Sequence, residues 1–225
     1  MSIAQAYAKG TVPFMGLEIG VAPGALVPRI ETELLGRTAA ATLETLKVPA
    51  PRLIDMCCGA GNLACALAVR FPLAQVWASD VMDSCVALAR ENVRRLGLEE
   101  RVQVAQGDLF GAFAGWGLES SLDLIVCNPP YISQKRLAGE SAALLDYEPR
   151  EAFDGGPYGL TIHQRVIRES VVFLKPAGWL LFEVGLGQAE QVKLLFGRSR
   201  VFADMRLVAD AHGAPRVVTA RRKAP

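Results

Sequence analysis

Between residues 52 and 127 the chain alternates short, β-rich apolar runs with longer stretches of helical periodicity, and this alternation restricts the possible folds more than any other feature. Residues 52–56, 75–79, 101–105 and 122–127 read as strands, and 62–71 and 82–96 as helices. A Gly-rich connection over 111–121 carries no clear pattern. Strands and helices in that order predict βαβ units with right-handed crossovers, and so a largely parallel sheet with helices on both faces. The pattern resumes with a helix over 160–174, a strand over 179–184 and a helix over 189–196. It closes on two β-rich runs, 201–208 and 216–221, whose connection His212-Gly213-Ala214-Pro215 suggests an antiparallel hairpin at the end of the sheet. Ahead of the alternation, residues 1–47 form a preface: two short strands, 12–16 and 17–21, turning near Gly16, then a helix over 30–46.

At 225 residues with 51% hydrophobic content, the chain fits one domain spanning 1–225 with a sizeable core. No apolar run is long enough to span a bilayer, and the first residues lack the layout of a signal peptide, so a cytoplasmic location without membrane contact is expected. Five cysteines, an odd number, lie inside strand-like or motif-like segments, which argues for reduced thiols. Cys57, Cys58 and Cys65 have no nearby His or second Cys-x-x-Cys pair, so no metal site is predicted. With 24 basic and 23 acidic residues, the charge balance argues against a nucleic-acid partner.

The chemistry concentrates where the strands end. In an open parallel sheet, ligands bind outside the carboxyl ends of the strands. The first strand runs through Asp55 into Cys57-Cys58-Gly59-Ala60-Gly61, where two glycines allow close backbone approach at a helix N-terminus. Asp80 ends the second strand, placed to accept hydrogen bonds from a ribose diol. Asp108 ends the third, where a carboxylate could accept from an adenine amino group while Leu109 packs on the ring. A carboxylate at Asp55 would repel phosphates but could pair with an ammonium group, which favours S-adenosylmethionine over a dinucleotide.

Asn128-Pro129-Pro130-Tyr131 ends the fourth strand. The Asn128 side-chain oxygen and the Pro129 carbonyl can together accept two hydrogen bonds from one planar NH2 group, and the Tyr131 ring can stack on the conjugated group that carries it. A Pro-Pro turn that merely stops a strand fits these four residues equally well when they are taken alone. Their place after three cofactor-type strand ends turns the balance toward function.

The ordered set LIDMCCGAGN, ASD, GDLF and NPPY resembles the class I S-adenosylmethionine-dependent methyltransferases. More narrowly, PRIETELL, NPPYIS, YEPREAFDGGPYGL and ADAHGAPRVV resemble the HemK-type protein-glutamine N5-methyltransferases. The resemblance runs from about Val12 to Val218. It implies a Rossmann-like, seven-stranded, mostly parallel sheet whose last strand is antiparallel. It also implies cofactor contacts from Cys57, Cys58, Gly59, Ala60, Gly61, Asp80, Val81, Leu109 and Asn128, with S-adenosyl-L-homocysteine as product. Asn128, Pro129 and Tyr131 would be the catalytic clamp, with Pro130, Arg29 and Thr32 lining the substrate side. The acceptor it implies is a glutamine of a peptide-chain release factor.

Two departures stand out. Cys57 and Cys58 replace the Gly and small hydroxyl residue usual at the start of the cofactor loop. Bacterial members of the family usually carry an N-terminal helical domain that grips the factor, whereas here the hairpin comes almost at once. A small-molecule N-methyltransferase, an adenine-N6 methyltransferase and a non-catalytic cofactor-binding subunit therefore stand beside the leading expectation, transfer to a protein glutamine. His163 and His212 read as structural, and Glu148 and Arg150 as either substrate-ordering or a surface salt bridge.

Overall fold

The computed structural model describes residues 2–224. The chain opens on a helix that the sequence reading did not assign, α1 (Ile3–Lys9). Its cause is local: the Ser2 hydroxyl accepts from the Gln5 N–H, the Gln5 side chain accepts from the Ser2 N–H, and Gly10 turns left-handed at the C-terminus. Strands β1 (Thr11–Phe14) and β2 (Leu17–Gly20) form the expected antiparallel hairpin. After a turn at Ile30 and Glu31 comes α2 (Thr32–Leu46), two residues later than the apolar pattern suggests.

The main body then follows the alternation: β3 (Arg52–Met56), α3 (Asn62–Arg70), β4 (Gln75–Asp80), α4 (Asp83–Arg95), β5 (Val102–Gln106) and β6 (Leu122–Cys127). A long segment with the single-turn helix α5 (Gln134–Leu137) leads to α6 (Thr161–Phe173), β7 (Leu174–Glu183), α7 (Ala189–Ser199), β8 (Phe202–Ala209) and β9 (Pro215–Arg222). The seven strands β3 to β9 form one sheet in the order β5-β4-β3-β6-β7-β9-β8. β5 through β7 run parallel, and β9 lies antiparallel to both of its neighbours. The seven-stranded, mostly parallel sheet and its antiparallel last strand are as the sequence implies. Strand order turns back at β3 and β6, so the crevice outside their carboxyl ends is the place for a ligand.

Two apolar layers hold this sheet. Leu53, Leu124 and Val126 pack toward α2, α3 and α4, while Ile54, Ile125 and Phe182 pack toward α6 and α7. Every residue of β6 is buried, as a central strand requires. β7 starts five residues earlier than the apolar run predicts: Leu174 pairs with Leu122 and Trp179 with Leu124, so Lys175–Gly178 bulge outward without ending the strand. The preface docks through Asn92 on α4, whose amide exchanges hydrogen bonds with both backbone groups of Gly20 and donates to the carbonyl of Ala60 at 2.9 Å. The hairpin and the loop after β3 are thereby fixed to one side chain. Among the described residues, no helix is long and apolar enough to cross a membrane.

Candidate active site

The loops at the carboxyl ends of β3 to β6 enclose a cavity of about 350 Å³. One wall is Asp55 with Cys57, Cys58, Gly59 and Ala60, a second is Asp80 with Val81, and a third is Asp108 with Leu109. Asn128 and Pro130 close the side toward β6, and Arg29 and Thr32 reach in from the preface. Residues from four separate strand ends are thus brought to one space. Gly61 is the exception. It caps α3 at φ +73°, and a Cβ there would stand 3.0 Å from the Ala89 methyl group, so its glycine serves helix packing and not the cavity wall.

Asp55 is fully buried. Its Oδ2 accepts the Ala64 N–H in the first turn of α3 at 3.0 Å, and its Oδ1 has no hydrogen-bond partner. Burial, with a smaller push from Asp80, moves its pKa from 3.8 to about 7 against the pull of the Ala64 N–H. An orphaned carboxylate oxygen is costly and invites a cation. Asp80 accepts the N–H groups of Gly59 and Met82 at 2.9 and 3.1 Å, and burial raises its pKa while these N–H groups hold it down. Asp80 lines the cavity, which puts its carboxylate within reach of a ligand there. Asp108 is exposed and receives the guanidinium of Arg165, on α6, through two contacts of 2.9 and 3.0 Å. The cavity's two arginines, Arg29 and Arg150, are engaged by Glu148 and Asp154, so the acidic cavity suits a nucleoside with a cationic tail better than a pyrophosphate.

Cys57 has φ +59°, in the left-handed region that favours glycine. It is half-buried and Cys58 is buried; all five cysteines are free thiols. Burial pushes the Cys58 thiol well up, away from the reactive thiolate.

Asn128 also borders a second cavity of about 200 Å³, walled by Pro129, Tyr131, Phe153, Glu183 and Arg216. It borders both spaces, as Leu26, Arg29 and Ala152 do, with Pro130 lining the first and Pro129 and Tyr131 the second. Its Nδ2 donates to the Thr32 hydroxyl at 3.2 Å. The Tyr131 hydroxyl donates to Glu183 at 3.2 Å, and burial beside that carboxylate pushes the phenol pKa up, so it stays a donor.

The Asn-Pro-Pro-Tyr backbone is braced from behind. Gln188 Nε2 donates to the Tyr131 carbonyl at 2.8 Å, Ile132 N–H to Phe153, and Gly155 N–H to Ile132. A Cβ at Gly155 would come within 2.7 Å of the Pro130 carbonyl oxygen, and one at Gly159 would overlap that of Tyr131. Gly155 and Gly159 of GGPYGL permit this approach, while Gly156 packs against Thr161. Glu148 is neither exposed nor paired with Arg150. It is buried, accepts the Val27 N–H at 2.9 Å and holds Arg29, so the long loop is tied to the preface across the cavity mouth. Arg150 pairs instead with Asp154 at 3.1 Å.

His163 packs on Phe182 with its Nε2 3.3 Å from the Glu183 carbonyl, and burial lowers its pKa to about 4. It is a neutral core residue, and His212 is exposed in the β8–β9 turn. Sequence reasoning missed Glu183, Arg216, Gln188 and Arg165. Glu183 carried a usable signal, because it ends a parallel strand as Asp55, Asp80 and Asp108 effectively do.

Residues 34–145 match the family model described as methyltransferase small domain. The chain is 37% identical to the release factor glutamine methyltransferase of Geobacter sulfurreducens, over 96% of this chain and 72% of that protein. It is 35% identical to the protein of the same name from Moorella thermoacetica, over 96% of this chain and 74% of the relative. A solved structure described as a release-factor-specific protein-(glutamine-N5) methyltransferase from Alicyclobacillus acidocaldarius superposes with a TM-score of 0.54 at 26% identity, covering 91% of this chain and 99% of that one.

Proposed function

Because the chain belongs to the release factor glutamine methyltransferase family, we propose that its single domain methylates the side-chain amide nitrogen of a glutamine on a release-factor-like protein. S-adenosylmethionine is the methyl donor of this class of enzymes, and its sulfonium supplies an electrophilic methyl group. The observation that carries the reading is the position of Asn128, which lines both the nucleoside-sized acidic cavity and the second pocket walled by Pro129 and Tyr131.

In this reading, Asp55 Oδ1 would hold the donor's ammonium group, the Asp80 carboxylate its ribose diol, and Leu109 would pack on the adenine. Asp108 borders the adenine end but shares its carboxylate with Arg165. Cys57 through Ala60 and Val81 provide backbone and side-chain contact. Asn128 Oδ1 and the Pro129 carbonyl each accept one N–H of the acceptor amide, and the Tyr131 ring stacks on its plane. Drawing both N–H groups into the clamp turns the nitrogen lone pair toward the first cavity. The acceptor proton leaves to solvent once the nitrogen carries the methyl group, so alignment and the electrostatics of two acceptors supply most of the acceleration. Arg29 and Thr32 close the cavity from the preface. A substrate that works in translation places the reaction in the cytoplasm.

The test is to incubate the protein and methyl-labelled donor with a cell lysate and separate protein, nucleic acid and small molecules. Label in a protein of release-factor size supports the reading. Label only in the small-molecule pool, or only in nucleic acid, refutes it.

A further inference from the structure

Helix α6 reaches the donor cavity at the wall formed by Asp108 and Leu109. Ile162 lines the same cavity, and Arg165, one turn further along that helix face, grips Asp108 through both Nη groups at 2.9 and 3.0 Å. We infer that Arg165 is a positioning residue for donor specificity: it sets the Asp108 carboxylate to accept the 6-amino group of adenine. The inference rests on the donor chemistry proposed above.

The contacts fix a plane. Two parallel N–H···O bonds hold a carboxylate coplanar with a guanidinium. The guanidinium is itself anchored, because Arg165 Nε donates to Glu169 on the next turn of α6 at 3.4 Å. The turn after Asp108 is tied to the same helix, with the Phe110 ring stacked on Phe173 at 4.7 Å between centroids. Without Arg165, an aspartate side chain that is 63% exposed would turn freely about its last bond. Stability does not account for the pair, since an ion pair this open contributes little. Its consequence is directional. The guanidinium takes one acceptor site on each oxygen, and a carboxylate offers about four, so each oxygen can accept once more. Asp108 lines the cavity and Arg165 lies outside its lining, so the arginine acts on a bound base only through the carboxylate that it holds. That carboxylate accepts and never donates, which matches an amino group on the purine ring.

The probes are S-adenosylhomocysteine and its analogue with hydrogen in place of the 6-amino group, each titrated calorimetrically into the protein without any acceptor. The parent binds the amino form at least about tenfold more tightly, the size of one hydrogen bond to a charged group. Arg165→Gln, which removes both the charge and the fork, narrows that preference to about threefold or less. Asp108→Ala abolishes it. Adding Arg165→Gln to Asp108→Ala changes the preference no further, because the arginine works through the carboxylate alone. Affinity for the 6-hydrogen form stays within about twofold in all four proteins. A pair of purely structural value would lower the Tm of Arg165→Gln and leave the preference at its parent level, and that result overturns the inference.

If the parent binds neither probe, the donor reading falls and the inference falls with it. If the parent binds both equally, or if Arg165→Gln keeps the full preference, the inference alone fails and the donor reading stands. Should Arg165→Gln not fold, Arg165→Lys carries the measurement, since an ammonium keeps the charge but cannot hold both oxygens in one plane. Its preference also falls below about half that of the parent, and an undiminished one overturns the inference.

Discussion

Asp55→Asn separates the cost of burying a charge from its use. In the free protein, the buried carboxyl titrates near 7 instead of 3.8, with burial as the main cause. A raised acid pKa means that the folded state binds its proton more tightly. The associated stability is fully present below pH 3.8, is lost as pH rises, and levels off above about 7. Asp55 thus costs about 4 kcal/mol at pH 8, where it is ionised, and about 2 kcal/mol at pH 5, where folding holds it protonated while the unfolded chain would ionise it. Asparagine escapes this cost. Its oxygen takes over the Ala64 N–H, and its NH2 occupies the place of the orphaned Oδ1. An unpartnered NH2 there costs about 2 kcal/mol. The balance is a gain of about 2 kcal/mol at pH 8 and none at pH 5, or a rise in Tm of about 4–8 °C at the higher pH only. His163, whose lowered pKa works with the opposite sign between about 4 and 6.5, is present in both proteins and cancels. Donor affinity moves the other way: the variant binds S-adenosylmethionine at least about tenfold more weakly at pH 8. Parent affinity rises with pH up to about 7, because binding a cation there requires the carboxylate. Thermal unfolding and isothermal titration at the two pH values read all of this. An equal Tm shift at both, or unchanged donor affinity, would refute the account of Asp55.

Two further substitutions probe the backbone around the site. Gly159→Ala places a methyl group on the Tyr131 carbonyl oxygen at φ +73°, so it should cost about 1–2 kcal/mol or more in urea unfolding and depress turnover while donor affinity holds. A stable, fully active variant would show that the loop does not brace the clamp. Cys57→Gly relieves a left-handed cysteine at φ +59°, worth about 1–2 kcal/mol, against about 0.5–1 kcal/mol for the added freedom of glycine. Its denaturation midpoint should rise slightly, and a fall of more than about 1 kcal/mol would mean that the thiol packs better than its backbone suggests.

The legible parts of the molecule were those written in local chemistry. Asp55, Asp80, Asp108 and Asn128 follow or close short apolar runs, so each could be placed at a strand end, and the sheet carried them to one crevice. Glu183 obeys the same rule one strand further on. It escaped notice because the expected ligand had no further group to give it. Helix α1 was signalled by Ser2 and Gln5, but seven residues carry too little periodicity to stand out. The start of β7 was hidden by Pro176 and Gly178, which do break the regular pairing without stopping the strand. The tie between Arg29 and Glu148 spans 119 residues, and no pattern in either segment names the other as its partner. A buried carboxylate beside Arg150 in the sequence reads as a surface pair until the fold brings Val27 and Arg29 to it.

The central claim is that Asn128 delivers a glutamine side-chain amide to the donor cavity. The direct measurement is fragment mass spectrometry of an unmethylated release factor after incubation with the protein and S-adenosylmethionine. One added methyl group on the glutamine side-chain nitrogen, absent with Asn128→Ala although that variant still binds the donor, is the predicted result. Methyl on any other residue, or on the same glutamine at full rate without Asn128, would contradict it.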